Sequence, residues 1–89
     1  MKKEMGGAKA DTWFVYILRC ADGSLYTGIT KDVSRRCEHH NAGTASRYTR
    51  SRLPVCVVYQ ESQATRSLAS KREAAIKAMS RQEKESLIR

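Results

Sequence analysis

The feature that most restricts the fold of this 89-residue sequence is a tight-turn dipeptide, Asp22-Gly23, set between two segments rich in aromatic and β-branched residues. Residues 12–20 read TWFVYILRC and residues 25–30 read LYTGIT, and Asp-Gly accepts the positive φ that a short hairpin turn requires. We therefore expect a β-hairpin. An isolated hairpin is marginal in water, so a third strand and helical cover are needed. Residues 54–60 (PVCVVYQ) are predicted to be that strand, with proline at its first position.

Helix signals follow the hairpin. Asp32 can cap a first helix that runs from Val33 to about Ala42, and Gly43 stands where a left-handed residue commonly ends a helix. The next segment, residues 43–52 (GTASRYTRSR), shows no apolar period. We predict that it is an exposed basic loop.

Two more helices are predicted after the third strand. The second starts at Ser62 or Thr65, and the third starts at Ser80, which can form a capping box with Glu83. The expected order is β-β-α-β-α-α, which is the pattern of a single small α+β domain over residues 12–89. Residues 1–11 show no period and are predicted to be a disordered leader.

The charge of the sequence favours a polyanionic partner. Lys and Arg number 17 against 9 Asp and Glu, which gives a net charge of +8. Such an excess attracts nucleic acid and supports contacts to phosphate. A basic surface that is simply solvated is the alternative.

The hydropathy pattern argues against export and membrane insertion, and the cysteines indicate a reducing compartment. No segment approaches the roughly 20 apolar residues that cross a bilayer, and no signal-peptide run follows Lys2 and Lys3. We therefore expect a cytoplasmic protein with no membrane contact. The cysteines are odd in number and widely spaced, which argues against a disulfide framework or a zinc site: Cys20, Cys37 and Cys56.

The first predicted helix carries polar residues where core residues are expected. Its inward stripe contains Val33, Arg36, Cys37 and His40 at helical spacing. Arg36 and His40 are four residues apart, so both can point into one cleft beside the hairpin. Alternatively, both lie at the edge of the stripe and reach water.

Three more residues can join this cluster. Tyr16 and Tyr26 lie in paired strands, where they are either core residues or phenols that need hydrogen-bond partners. Glu73 shares a helix face with core positions, where a carboxylate is costly unless it is paired or binds a metal ion. Pairing with a neighbouring cation and binding of a hard divalent ion both remain open.

These residues resemble the GIY-YIG nuclease superfamily, and most closely its small stand-alone bacterial members. The resemblance runs from about Trp13 to Ile88, with FVY at residues 14–16 in the place of GIY and YTG at residues 26–28 in the place of YIG. The spacing of the polar residues is also that of the family, in the series Tyr16, Tyr26, Arg36, His40 and Glu73.

The resemblance implies a three-stranded antiparallel sheet flanked by helices, one divalent ion (Mg²⁺ or Mn²⁺) and hydrolysis of DNA phosphodiesters. Tyr16 would be the general base or water-orienting group, with Tyr26 positioning water or phosphate. Arg36 would stabilise charge on the phosphoryl oxygens, and His40 would assist proton movement. Glu73 would hold the metal ion.

Three functions remain open at this point. A structure-preferring endonuclease, suited to DNA repair, would contact backbone phosphates through basic residues, and an aromatic side chain could stack on a base. A non-catalytic nucleic-acid-binding module is the first alternative, because many active relatives carry an asparagine where this chain has residues 85–88 (ESLI). A domain that binds an acidic protein partner is the second. The oligomeric state and the choice between DNA and RNA are also open. The residues expected at the nucleic-acid interface are Lys31, Arg35, Arg47, Tyr48, Arg50 and Arg52.

Overall fold

The computed structural model describes residues 11–89, which form a three-stranded antiparallel sheet flanked by helices. The sheet order is β2-β1-β3, so the first strand lies in the middle. The predicted α+β class is confirmed. Apart from Asp11, the predicted leader lies outside the described residues. The elements in chain order are β1 (Trp13–Arg19), β2 (Leu25–Thr30), α1 (Val33–Asn41), α2 (Arg47–Arg50), β3 (Cys56–Gln63), α3 (Arg66–Lys77) and α4 (Arg81–Ile88).

Short-range turn and cap signals place these elements as predicted. Gly23 has a φ of 86° in the hairpin turn, and Gly43 has a φ of 80° just beyond α1. The N-caps of the three longer helices each accept a backbone N–H, which satisfies donors at the helix start. These caps are Asp32, Thr65 and Ser80, the last within a complete capping box.

The third strand begins later than predicted, at Cys56 instead of Pro54. Val55 donates its N–H to Asn41 Oδ1 at 2.7 Å and accepts from Asn41 Nδ2 at 3.0 Å. This amide therefore takes the backbone groups that strand pairing would use. At its other end the strand continues to Gln63, which pairs with Trp13.

The prediction of an exposed basic loop over residues 43–52 is wrong at its centre, where residues 47–50 form α2. Ser46 caps this short helix by accepting from the backbone N–H groups of Tyr48 and Thr49. Thr49 is fully buried. Because the helix is so short, only this one residue faces inward, and the sequence therefore shows no apolar period.

Two apolar layers lie on opposite faces of β1, because successive side chains of a strand point in opposite directions. The upper layer is formed by α3 against one face, and its buried residues are Val15, Ile17, Ala69 and Ile76. The lower layer lies on the other face, with Val33 and Cys37 of α1 packed against it. Its buried residues are Tyr16, Leu18, Cys20 and Val55.

Gly28 makes room for the Tyr16 side chain. It pairs directly with Tyr16 in the register of β1 and β2. A Cβ at position 28 would lie 2.6 Å from Tyr16 Oη and 2.7 Å from Tyr16 Cζ, well inside van der Waals contact. The glycine therefore determines where the phenol lies.

We expect Gly28→Ala to lower the free energy of unfolding by about 1–3 kcal/mol, because the added methyl overpacks the ring. Urea denaturation measures the change. The matched experiment places Gly28→Ala in a Tyr16→Leu background, where the clashing ring atoms are gone and the cost should largely disappear. An equal cost in both backgrounds would show that the ring is not what the methyl meets.

A carboxylate clamp joins α4 to the sheet. The two terminal guanidinium nitrogens of Arg19 donate to Glu85, at 2.8 and 3.0 Å. Arg81 donates to Glu85 at 2.9 Å and to the carbonyl oxygen of Gly23 at 2.9 Å. Hydrogen bonds from Arg19 first, and from Arg81 as well, lower the pKa of the Glu85 carboxyl to about 2.

Glu85→Gln should lower the urea midpoint near neutral pH, and the difference from the parent should shrink on acidification. The folded-state pKa lies below the ordinary value of 4.5, so the stabilisation is complete above that value and is lost as the pH falls toward about 2. Glu38→Gln removes an exposed carboxylate that forms no ion pair with the described residues, and it should show no such trend. A Glu85→Gln difference that is constant with pH would refute the prediction.

Candidate active site

The centre of the candidate site is a buried hydrogen bond between Tyr16 of β1 and His40 of α1. Tyr16 Oη lies 2.9 Å from His40 Nε2, and the two residues are 3% and 1% exposed. On the other side of the ring, His40 Nδ1 lies 2.8 Å from Thr49 Oγ1 of α2. Three elements thus meet in one line of polar groups, each of which satisfies its neighbour inside the protein.

Strand and helix periodicity explain why these side chains face each other. Tyr16 shares a strand face with Leu18, in the lower layer. In α1, Val33 and Cys37 pack against the same layer, and His40 follows on the same helical face. The predicted inward stripe agrees with the observed burial, since Arg36 is half-buried and His40 is buried.

The surroundings of Tyr16 hold its phenol in the protonated form. Burial, and next the neighbouring Tyr26, raise its pKa well above the ordinary value. Arg36 opposes this rise and Glu73 adds to it. Both charged side chains therefore act on the phenol through space, while its hydrogen bond is made with His40.

His40 is held in the neutral form. Burial lowers its pKa, and the positive charge of Arg36 lowers it further, followed by that of His39. A neutral imidazole has one N–H donor and one acceptor nitrogen. One nitrogen of His40 can therefore share a hydrogen bond with Tyr16 while the ring itself stays uncharged.

Arg36 is a half-buried cation whose guanidinium has no hydrogen bond or ion pair within residues 11–89. Removing a guanidinium from water is costly unless an anion compensates it. The side chain acts on both Tyr16 and His40. This arrangement leaves a place for an anionic group next to the buried pair.

Glu73 lies on α3 with 23% of its side chain exposed, and its Oε2 is 3.3 Å from Lys77 Nζ. Lys77 is thus the neighbouring cation that pairs with Glu73 in the structure. Arg72 instead binds Glu61 of β3, with Nε 2.8 Å from the carboxylate. The other oxygen of Glu73 has no partner in the described chain.

The residues suit a metal ion that takes most of its ligands from elsewhere. Within residues 11–89 there is no group of three or more His, Cys, Asp or Glu side chains able to hold a metal. Magnesium is commonly bound by one or two carboxylates, with water and substrate phosphate completing its shell. Glu73 fits that ligand set, as a hard oxygen donor with one oxygen unpartnered.

Tyr26 links the buried pair to the surface. Its ring meets His40 edge-on, with centroids 5.1 Å apart, and stacks on Tyr48 with centroids 5.9 Å apart. Arg52 also lies over the Tyr48 ring, with its Cζ 3.9 Å from the ring centroid. Tyr48 is still exposed, so its ring can be reached from solvent.

The residues predicted to bind nucleic acid divide into two groups. Arg52 is bound to Asp22 at 3.1 Å and to the Tyr48 carbonyl at 2.8 Å, and Lys31 lies over the Trp13 ring at 5.9 Å. These two cations already have partners within the protein. By contrast, Arg35, Arg47 and Arg50 are exposed, and their guanidinium groups have no partner in the described chain.

Sequence reasoning missed Thr49, which contacts His40 directly. The available signal was Ser46, a good N-cap residue three positions earlier. It is weak without an apolar stripe behind it. Asn41, next to His40 in sequence, binds the backbone of Val55 and so serves the fold.

Comparison with known proteins identifies the family. The family model described as GIY-YIG catalytic domain matches residues 12–86. A UPF0213 protein of Desulfotalea psychrophila is 55% identical over 78 residues, which is 86% of this chain and 71% of that protein. A UPF0213 protein of Staphylococcus aureus is 54% identical over 79 residues, which is 89% of this chain and 96% of that protein.

Two solved structures are also similar. The solution NMR structure of a UPF0213 protein from Bacillus halodurans has a TM-score of 0.56 at 42% identity, and covers 86% of this chain and 82% of that one. The solution NMR structure of the protein EF2693 from E. faecalis has a TM-score of 0.60 at 41% identity, with 89% and 84% covered. The chain described here belongs to the GIY-YIG nuclease family.

Proposed function

We propose that this chain is a divalent-metal-dependent endonuclease that hydrolyses DNA phosphodiester bonds, with a preference for branched or damaged DNA. The observation that carries the proposal is the buried Tyr16–His40 hydrogen bond, supported by the charges of Arg36 and Glu73, which both affect the pKa of the Tyr16 phenol. Phosphoryl transfer needs positioning and charge neutralisation more than covalent chemistry. This group of side chains can supply both.

Tyr16 and His40 act as a proton relay in this proposal. The Tyr16 oxygen accepts a proton from the attacking water while its own proton passes to His40 Nε2, 2.9 Å away. The raised pKa of Tyr16 and the lowered pKa of His40 disfavour charge on either ring before substrate binds. A bound divalent ion would lower the pKa of a water molecule and would stabilise the negative charge that develops on the phosphoryl oxygens.

Arg36 binds the phosphate whose bond is cleaved. A half-buried guanidinium without a counterion is already desolvated in part, so less free energy is lost when phosphate binds. Glu73 would hold the divalent ion, in place of or beside its ion pair with Lys77. Tyr26 orients water or phosphate at the edge of His40.

The exposed surface of α1 and α2 supports binding to the nucleic-acid backbone. The exposed cations on this surface have no partner in residues 11–89: Arg35, Arg47 and Arg50. Such unpaired cations can replace the counterions that are bound to phosphate. We include Lys31, Arg52 and Tyr48 at the rim of this surface. Arg52 already binds Asp22 and lies over the Tyr48 ring, so contact with DNA would compete with these interactions.

The cytoplasm is the proposed location. The cysteines in the described chain are all free, as is usual in a reducing compartment. None of the helices in residues 11–89 has the length and apolar character needed to cross a membrane.

A non-catalytic nucleic-acid-binding module is the second candidate, and one observation favours it. The C-terminal stretch where many active relatives carry an asparagine holds Glu85 in this chain, and that carboxylate is bound by Arg19 and Arg81. Asn41 is occupied by Val55. Within the described chain, then, no asparagine side chain is available to the candidate site.

A cleavage assay on single-stranded, duplex, flap and junction DNA with Mg²⁺ or Mn²⁺ distinguishes the two candidates. We expect nicking of the flap and junction substrates. Glu73→Gln should abolish nicking and leave DNA binding nearly unchanged, because the negative charge that would bind the metal ion is lost while the basic surface is intact. Glu38→Gln changes the same charge on α1 and should cleave like the parent.

Equal activity in Glu73→Gln and the parent would show that a contaminant, or a different site, cleaves the DNA. Binding without cleavage in every variant and with either metal would favour the non-catalytic module.

The contribution of α2 to binding is tested by salt dependence. The double variant Arg47→Ala, Arg50→Ala should weaken binding to all sequences alike, and should reduce the slope of log K against log salt by about 0.9 for each lost phosphate contact on duplex DNA. Lys84→Ala removes a cation from α4, whose Leu87 and Ile88 pack on the upper layer, and serves as the control. An unchanged slope in the double variant would remove α2 from the interface.

A further inference from the structure

We propose that Thr49 is a positioning residue for the nuclease reaction, because its hydroxyl fixes which nitrogen of His40 carries the proton. The inference rests on the proposed function only for its effect on cleavage. Thr49 Oγ1 lies 2.8 Å from His40 Nδ1, and His40 Nε2 lies 2.9 Å from Tyr16 Oη. The two ring nitrogens therefore have one partner each, on opposite sides of the imidazole.

Two arrangements of protons fit these distances, and they differ in the hydroxyl groups that they satisfy. In the first, Tyr16 donates to Nε2, Nδ1–H donates to Thr49, and Thr49 donates to the Ser46 carbonyl at 3.4 Å. In the second, Thr49 donates to Nδ1 and Nε2–H donates to Tyr16. The phenolic proton then has no acceptor among the described residues, since His40 is the partner that Tyr16 has there.

The first arrangement is favoured because buried polar hydrogens almost always find an acceptor. It requires little of Thr49, since a hydroxyl can donate to one group while it accepts from another. The Ser46 carbonyl lies 3.4 Å from Thr49 Oγ1 and takes the Thr49 proton, so that the hydroxyl oxygen accepts from Nδ1–H. Thr49 thereby stabilises the tautomer that also satisfies the Tyr16 proton.

The fold holds Thr49 in a position that a core residue would normally occupy. Thr49 is completely buried, with 0% of its surface exposed to water. Ser46 caps the helix one turn before it, and the N–H of Arg52 binds its carbonyl at 2.8 Å. A β-branched side chain in such a site has little rotational freedom. The hydroxyl is thus aimed at His40 by packing as well as by hydrogen bonding.

The consequence for the reaction is that His40 presents a lone pair, and not an N–H, to Tyr16. A phenol that donates to His40 keeps its own lone pairs free for the attacking water. With the opposite tautomer, the histidine would donate to the phenolic oxygen and could not accept the Tyr16 proton. Thr49 touches neither substrate nor metal, and it acts entirely through His40.

The test uses Thr49→Val, which keeps the shape and removes the hydroxyl, and Thr49→Ser, which keeps the hydroxyl. Nitrogen-15 NMR of the histidine rings, with His39→Gln used for assignment, should show His40 protonated at Nδ1 in the parent and in Thr49→Ser. Thr49→Val should lose that preference. Thr44→Val removes an exposed hydroxyl bound to the His39 carbonyl, and serves as the control.

Cleavage provides the second readout. Thr49→Val should lower the cleavage rate by up to about 100-fold, the lower end of a typical acid–base contribution, with DNA binding unchanged and with most of the rate restored in Thr49→Ser. If the parent cleaves no DNA, the proposed function fails while the spectra still decide the role of Thr49. An Nε2–H tautomer in the parent would overturn the inference, and this measurement requires no Thr49 variant to fold. A Thr49→Val protein that keeps the Nδ1–H tautomer would overturn it as well.

Discussion

The hydrogen bond between Tyr16 and His40 is the interaction on which the rest of the site depends. It joins the middle strand of the sheet to α1, and through Thr49 it reaches α2. Each partner is buried, so each needs the other to satisfy a polar group that water cannot reach. The packing around the pair serves this geometry, since a bare Gly28 admits the ring and the apolar lower layer keeps both groups uncharged.

Local signals predicted most of the fold, because turns, caps and periodicity act over a few residues. The Asp22-Gly23 turn, the Asp32 cap and the inward face of α1 were all readable from neighbouring positions. Two features were not. Asn41 replaces strand pairing at Val55, and Thr49 meets His40 in a helix of four residues. Each is a contact between side chains or backbone groups brought together by the whole fold, and it leaves no repeating pattern in the sequence.

Charge alone predicted a basic surface but not the use of each cation. Arg52 is committed to Asp22 and to the Tyr48 ring, whereas Arg47, five positions earlier, has no partner in the described chain. The same holds inside the site, where Lys77 neutralises Glu73 while Arg36 remains without an anion. Sequence spacing identified these residues as candidates. Their partners depend on distances between helices and strands, which spacing along one helix does not determine.

The central place of β1 has a consequence for the chain as it leaves the ribosome. Residues 13–19 can pair with β2 as soon as the hairpin emerges, but their other edge stays open until β3 arrives about 40 positions later. This strand is the most apolar in the sheet, with four consecutive buried residues. An open apolar edge readily recruits strands from other chains. The open edge of β1 therefore remains prone to aggregation until β3 has been synthesised and completes the sheet.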